Sequence, residues 1–370
     1  MSLLRSFSLW IPALRGLVES RDRLLVELHL AQVHLAEMEQ SFQIDSANQT
    51  ALSSELGQQL QAKEEAYAGL LTDLEGLRRV HRQLEEDTAT TRLAQSQSRL
   101  FITDYAYFPS PRSIENAAGG RQIEAMFKRQ EDRISGTLRA IAQHVQTLAL
   151  IPRSTSDALI PYWDNPWFPP FDGAALYGLI AVNKPRRYVE VGSGISTRFA
   201  RQAIIDLGLS TKIISIDPHP HNSVEGLCDE VLVQRAENMP SEFWTSLDER
   251  DILFIDNSHR SFPGSDVTVF FAEVMPALPP GVIYGIHDIF LPRDYPADWN
   301  ERFYSEQYLL MTYLLGGCGQ DEILLPVNWL TSQPQLHGLL SSLWDRADLF
   351  GGLMTHGGAF WARRGAVPLY

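Results

Sequence analysis

The chain has 370 residues, 44% hydrophobic and 21% charged, enough for one large or two ordinary folded domains. Its formal net charge of −14 argues against a nucleic-acid substrate held through its phosphates, which needs a basic surface. No run of about 18 apolar residues occurs, so no transmembrane helix is expected. Cys228 and Cys318 are isolated in sequence and fit a reducing, cytoplasmic setting. Arg5, Pro12 and Arg15 interrupt the mildly apolar stretch from Met1 to Val18, which argues against a signal peptide or a surface-lying amphipathic segment.

From Leu24 to Leu84 there is no proline, and glycine occurs only at Gly57, Gly69 and Gly76. Apolar residues recur at alternating steps of four and three. One set is Leu24, Leu28, Ala31, Leu35, Met38 and Phe42. A second is Leu60, Leu70, Leu74, Leu77 and Leu84, with Lys63, Tyr67 and His81 at the seam positions between them. The spacing averages about 3.5, the coiled-coil period. Between Ile44 and Ser54 the seam turns polar at Asp45 and Gln49, and the register slips by one residue near Leu56 to Leu60. The pattern predicts one long helix, or two with a soft break, forming a coiled coil, because a lone helix would leave the stripe in water. The partner is another copy of the chain or a hairpin mate, with a homo-oligomer the favoured expectation. Lys63 and His81 either fix the register or snorkel at its edge.

Residues 100–120 read as a connector, and Arg121 to Leu148 as a helix with Ile123, Met126, Phe127, Ile134, Leu138, Ile141, Val145 and Leu148 on its apolar face. The proline-rich stretch from Ile160 to Phe171, I-P-Y-W-D-N-P-W-F-P-P-F, predicts an extended loop. Its rings are expected to lie over the next helix as an apolar lid, some of them lining an acceptor pocket. Asp172 is expected to cap that helix, which runs from Gly173 through Leu179. The organisation reads as a coiled-coil region over 1–100, a connector and helix over 101–155, and an α/β catalytic domain over 156–370.

The catalytic domain is built around Arg187 to Phe199, R-Y-V-E-V-G-S-G-I-S-T-R-F. Tyr188 to Val191 reads as a buried central strand, Gly192-Ser193-Gly194 as a tight turn, and Ile195 onward as a helix. Ser196 and Thr197 can hydrogen-bond at the helix start. Further strands are expected at Thr211–Ile216, Glu230–Gln234, Asp251–Ile255 and Val282–Ile286, with a helix from Ser265 to Leu278 before the last. Strands and helices alternating at this spacing predict a doubly wound, Rossmann-like parallel sheet, whose ligands bind beyond the carboxyl ends of the strands. Gly192, Asp217, Asp256, His259, His287 and Asp288 all fall at strand ends and so face one crevice. Asp217, at the tip of the second strand, is placed to accept a ribose hydroxyl pair, and the loop Ala236-Glu237-Asn238 should border an adenine.

The pattern Glu190-x-Gly192-x-Gly194 lacks the third glycine of a dinucleotide site, which Thr197 replaces. It resembles motif I of the class I S-adenosylmethionine methyltransferases. That resemblance implies a seven-stranded sheet whose last strands, near Asp321–Trp329 and Gly358–Arg363, form an antiparallel hairpin at the edge. It also implies S-adenosylmethionine as cofactor, bound by Glu190, Gly192, Ser193, Gly194, Ser196 and Asp217. Asp256, His259 and Asp288 are similar in placement to the metal and base residues of metal-dependent O-methyltransferases of the catechol and macrolide-sugar types. On that likeness Asp256 and Asp288 share a Mg²⁺ ion and His259 is the base; His287 is an alternative base, a ligand or a supporting residue. The acceptor is then a hydroxyl of a small molecule or glycan, whose high pKa calls for a metal and a base.

After the fifth strand, Phe290 to Leu310 reads as an insertion that shapes acceptor choice. Its helix, Asn300 to Leu315, should bury Phe303, Tyr304, Tyr308, Leu309, Met311 and Leu315; Glu306 and Gln307 either touch the acceptor or, the favoured expectation, lie on its surface. Two other classes compete. One is an iron-dependent oxygenase-like enzyme on the same acidic crevice. The other is a coiled-coil scaffold or ruler whose methyltransferase-like domain only binds ligand.

Overall fold

The computed structural model describes residues 2–40, 46–96, 109–110, 112–220, 224–317 and 321–366. The polar break at Asp45, the start of the connector and Cys318 lie outside the described residues. The chain divides into two compact units, Met1–Tyr107 and Phe108–Tyr370. No helix of the described residues is long and apolar enough to cross a membrane.

In the first unit, α1 (Ser2–Gln40) and α2 (Ser46–Ser96) are separate helices that pack on each other. The half-buried positions of α1 include Leu24, Leu28, Ala31, Leu35 and Met38 of the sequence stripe, whose last member, Phe42, lies outside the described residues. On α2 they are Leu56, Leu60, Lys63, Tyr67, Leu70, Leu77, His81, Leu84 and Thr88, with Leu74 fully buried. The steps alternate four and three without a slip along α2. The slip expected near Leu56 to Leu60 is therefore absent: those residues lie within α2, and α1 and α2 are separate helices, each with its own register. Lys63 reaches Glu27 on α1 at 3.3 Å, so a seam lysine pairs within the hairpin. Such an exposed pair contributes about 0–1 kcal/mol, and its effect is on register more than on stability.

The second unit holds one seven-stranded sheet of order β3-β2-β1-β4-β5-β7-β6. The strands are β1 (Arg187–Val191), β2 (Lys212–Ile216), β3 (Glu230–Leu232), β4 (Asp251–Ile255), β5 (Ile283–Ile286), β6 (Glu322–Pro326) and β7 (Phe360–Arg363). The first five are parallel, while β7 runs antiparallel between β5 and β6. This departs from the all-parallel Rossmann order in its last strands. β1 lies at the reversal of strand order, where open sheets form a crevice. β6 ends earlier than its apolar run, because Pro326 cannot donate to the ladder and the chain turns into a short helix, Val327–Thr331.

Helix α6 (Pro170–Asn183) is buried through Ala181 and packs between α4 (Glu131–Ala142) and α7 (Ile195–Asp206). The helix read over 121–148 is broken at Gln130 and again before Val145. At the first break the Gln130 side chain accepts the N–H of Ile323 on β6. The helix expected over 265–278 starts at its Ser265 cap but widens into a π turn, Phe270–Val274. Pro276 explains the widening: it has no N–H, and its ring would meet the carbonyl of residue 272. In the proline-rich loop, Trp163 and Phe168 are buried against Phe199 of α7, while Trp167 is 73% exposed.

Candidate active site

Gly192 has φ +83°, and a Cβ there would collide with the carbonyl oxygen of Asp256. Only glycine lets β1 turn this close to the end of β4. A Cβ on Gly194 would instead meet no protein atom within 4 Å, so that side of the turn is open. Thr197 Oγ1 accepts from Gly194 N at 3.0 Å and donates to Glu190 Oε2 at 2.5 Å. Tyr188 donates to the other oxygen at 2.9 Å. Glu190 is therefore sealed beneath the turn. Burial pushes its carboxyl up to about 7 against the hydrogen bonds of Ser196, Thr197 and Tyr188. Ser193 Oγ donates to Asp217 Oδ2 at 2.6 Å, and His219 N to Oδ1 at 2.8 Å. These bonds join the first and second strand ends, and the Asp217 carboxylate keeps lone pairs for further donors. Ala236 and Asn257 help line a narrow cleft with Val191, Ile255 and Val269.

A second cluster forms where β4 and β5 end. His259 Nε2 lies 3.4 Å from Asp256 Oδ1 and 3.4 Å from Asp288 Oδ2. Its Nδ1 lies 3.0 Å from Glu306 Oε2. His287 Nδ1 is 3.3 Å from Asp256 and 3.6 Å from Asp288, while Nε2 is 3.5 Å from Asp172. The His287 ring packs on Phe168 and Phe254. His259 (φ 57°) and Asp288 (φ 54°) both have left-handed backbone, which is uncommon for such residues and is found at functional sites. Asn257 Oδ1 accepts the His259 N–H at 2.9 Å and so supports the first of these.

Burial alone would lower both imidazoles, but the surrounding acids reverse it. Hydrogen bonds to Asp256 and Glu306, with the charges of Glu306 and Asp288, push His259 up to about 10. Asp288 and Asp256, with Asp172, push His287 well above its ordinary value. Desolvation raises Asp256, yet the charge of His287 and hydrogen bonds from both histidines outweigh it and hold the carboxyl far below the usual range. Asp256 keeps 34% of its side chain exposed, toward the crevice.

All the candidate residues thus fall into two groups at the strand ends: Glu190, Gly192, Ser193, Gly194, Ser196 and Asp217 in one, Asp256, His259, His287 and Asp288 in the other. Two buried acids were not foreseen. Asp172 lies inside the first turn of α6, where its carboxylate accepts from Gly358 N (2.7 Å) and Ala359 N (2.8 Å) instead of capping the helix. Glu306 and Gln307, expected on the surface, are fully buried, whereas Phe303 is 50% and Tyr308 39% exposed. The reason is that the chain forms a 3₁₀ turn at Ala297–Arg302, passes through left-handed Phe303, and only then starts helix α11 (Glu306–Leu315). A glutamate in a first helical turn reads from sequence as a dipole partner, which conceals its pairing with His259.

The donor chemistry fits a hard divalent cation. Asp256 and Asp288 both approach His259 Nε2 at 3.4 Å, and Mg²⁺ takes one or two carboxylates with water and substrate oxygens. No group of three or more His, Cys, Asp or Glu side chains among the described residues is arranged to hold a metal ion. The open turn at Gly194 and the Asp217 carboxylate likewise fit the amino-acid and ribose ends of a nucleoside cofactor.

Residues 189–289 match the model of a methyltransferase domain family. The match runs from within β1 to just past β5 and so contains every candidate residue. No curated protein matches the chain. Among solved structures, an SAH-bound methyltransferase of Podospora anserina is similar at 15% identity and a TM-score of 0.34, covering 72% of this chain and 100% of its own. The MycE methyltransferase of the mycinamycin biosynthetic pathway, in complex with Mg, SAH and mycinamycin VI, is similar at 16% identity and a TM-score of 0.27. That likeness covers 50% of this chain and 48% of the other. Both scores are too low to establish a shared fold by themselves.

Proposed function

We propose that the chain transfers a methyl group from S-adenosylmethionine to a hydroxyl of a small molecule or glycan, with His259 as the base. One observation carries this reading. The glycine turn and the Asp256–His259–Asp288 cluster open on the same side of the sheet, within the segment that matches a methyltransferase domain.

S-adenosylmethionine supplies a methyl group already activated on a sulfonium. The backbone of Ser193 and Gly194 receives its amino-acid end, Ser196 lies at the start of α7, and Asp217 accepts the ribose hydroxyls. Fixing both reactants in line accounts for much of the rate. His259 Nε2 takes the hydroxyl proton as the acceptor oxygen bonds to the methyl carbon and the sulfonium leaves as a thioether. Asp256 and Asp288 would hold a divalent cation such as Mg²⁺, which would supply Lewis-acid lowering of the hydroxyl pKa and offset the negative charge that keeps His259 protonated. His287, packed on Phe168 and tied to Asp172, holds Asp256 in place.

The hairpin of α1 and α2 leaves most of its seam only half-buried, which supports self-association through this region, and sedimentation of the intact chain tests it. A second reading, iron chemistry, draws on the two imidazoles that both reach Asp256 Oδ1.

The test is calorimetric titration with S-adenosylhomocysteine, with and without Mg²⁺. Micromolar binding to the wild type, lost in Asp217→Ala, is the expected result. Absence of binding in every condition, with Fe²⁺ bound instead, favours the iron enzyme.

A further inference from the structure

The segment leading into α11 grips the loop that carries His259. The His259 carbonyl accepts from Ser305 N at 2.8 Å and Glu306 N at 3.2 Å. Ser261 N donates to Ser305 Oγ at 2.9 Å, and Arg260 Nε to the Arg302 carbonyl at 2.8 Å. The Tyr304 ring lies against the imidazole, 4.7 Å between centroids. Both Glu306 oxygens are spent on the same loop, one on His259 Nδ1 (3.0 Å) and the other on Asn257 Nδ2 (3.1 Å). Glu306 is fully buried, and a carboxylate held dry at a helix start has a cost that these partners offset.

The hydrogen bond at one imidazole nitrogen decides what the other can do. From this geometry we infer that Glu306 is a positioning residue for His259: it holds the Nδ1 proton and turns Nε2 toward Asp256 and Asp288, 3.4 Å from each. The insertion that borders the acceptor side therefore also sets the base. This inference rests on His259 being the base of the methyl-transfer reading.

The test compares wild type, Glu306→Ala and Glu306→Gln, labelled with ¹⁵N-histidine and bound to Mg²⁺ and S-adenosylhomocysteine. The His259 signal is assigned by its loss in His259→Gln. In the wild type the Nδ1 proton should exchange slowly with water. Glu306→Ala should speed that exchange at least about tenfold, whereas Glu306→Gln, which keeps an acceptor oxygen, should remain near wild type. Tritium transfer from S-adenosylmethionine to a panel of monosaccharides adds a kinetic arm. There Glu306→Ala should lower kcat about 100-fold with acceptor KM within about twofold, and Glu306→Gln should recover most of the loss. Unchanged Nδ1 exchange in Glu306→Ala, or a kcat within about threefold of wild type, overturns the inference. If S-adenosylhomocysteine fails to bind the wild type, the methyl-transfer reading falls instead, while the exchange rates in Mg²⁺ alone still decide whether Glu306 holds the imidazole.

Discussion

The two halves of the crevice are built on different physics. The cofactor half is made of close backbone packing and short hydroxyl bonds over one sealed carboxylate: Gly192 against Asp256, Thr197 and Tyr188 on Glu190, Ser193 on Asp217. The acceptor half is a knot of charge in which His259 and His287 stand among Asp172, Asp256, Asp288 and Glu306. The first half is local: apart from the Asp256 carbonyl, its groups fall within some thirty positions of chain. The second is assembled from α6, β4, β5 and α11, and its protonation states depend on what it holds. Binding and chemistry should therefore separate under mutation.

The largest effect should come from His259→Ala. Steady-state turnover should fall by about 10²- to 10⁴-fold, the usual worth of a general base, while S-adenosylhomocysteine affinity stays within about twofold. Gly192→Ala should do the reverse. Its positive φ costs roughly 1–3 kcal/mol in backbone strain alone, and the collision with the Asp256 carbonyl adds to that. A lowered melting temperature and loss of cofactor binding are the expected outcome. If calorimetry finds wild-type affinity, the turn is not the cofactor cradle. Thr197→Val is a milder probe of the same half. It strips a donor from buried Glu190, which costs about 1–3 kcal/mol, measurable by urea unfolding.

The smallest effect is a pH dependence confined to the acceptor half. His259 is pushed up to about 10, from an unfolded value of about 6.5. A raised imidazole contributes stability fully below its unfolded pKa and loses it as pH rises through the folded one. Melts of metal-free protein in EDTA should therefore decline between about pH 6.5 and pH 10. The decline should be shallower in His259→Gln, and equal slopes in the two proteins would contradict the network.

The cofactor half was legible because its signal is contiguous: a buried strand, two glycines and an acid at the next strand tip. The acceptor half was legible only as far as Asp256, His259, His287 and Asp288, which follow strands. Asp172 and Glu306 were hidden because each looks like an ordinary first-turn helix residue, and only tertiary packing brings them to the histidines. Element geometry departed from the sequence reading for backbone reasons, as where Pro276 widens a helix and Pro326 ends a strand. In the first unit the heptad stripe was read residue by residue. The polar stretch between Ile44 and Ser54 left open whether one helix or two would bury it, since a seam does not name its partner.

The most direct test of the two-part crevice is a paired calorimetric titration of Asp217→Ala and His259→Ala with S-adenosylhomocysteine, beside the wild type. The account predicts micromolar binding to the wild type and to His259→Ala, with affinity reduced at least about tenfold in Asp217→Ala, the loss of one charged hydrogen-bond acceptor. Equal loss in both variants, or no binding to the wild type, would contradict it.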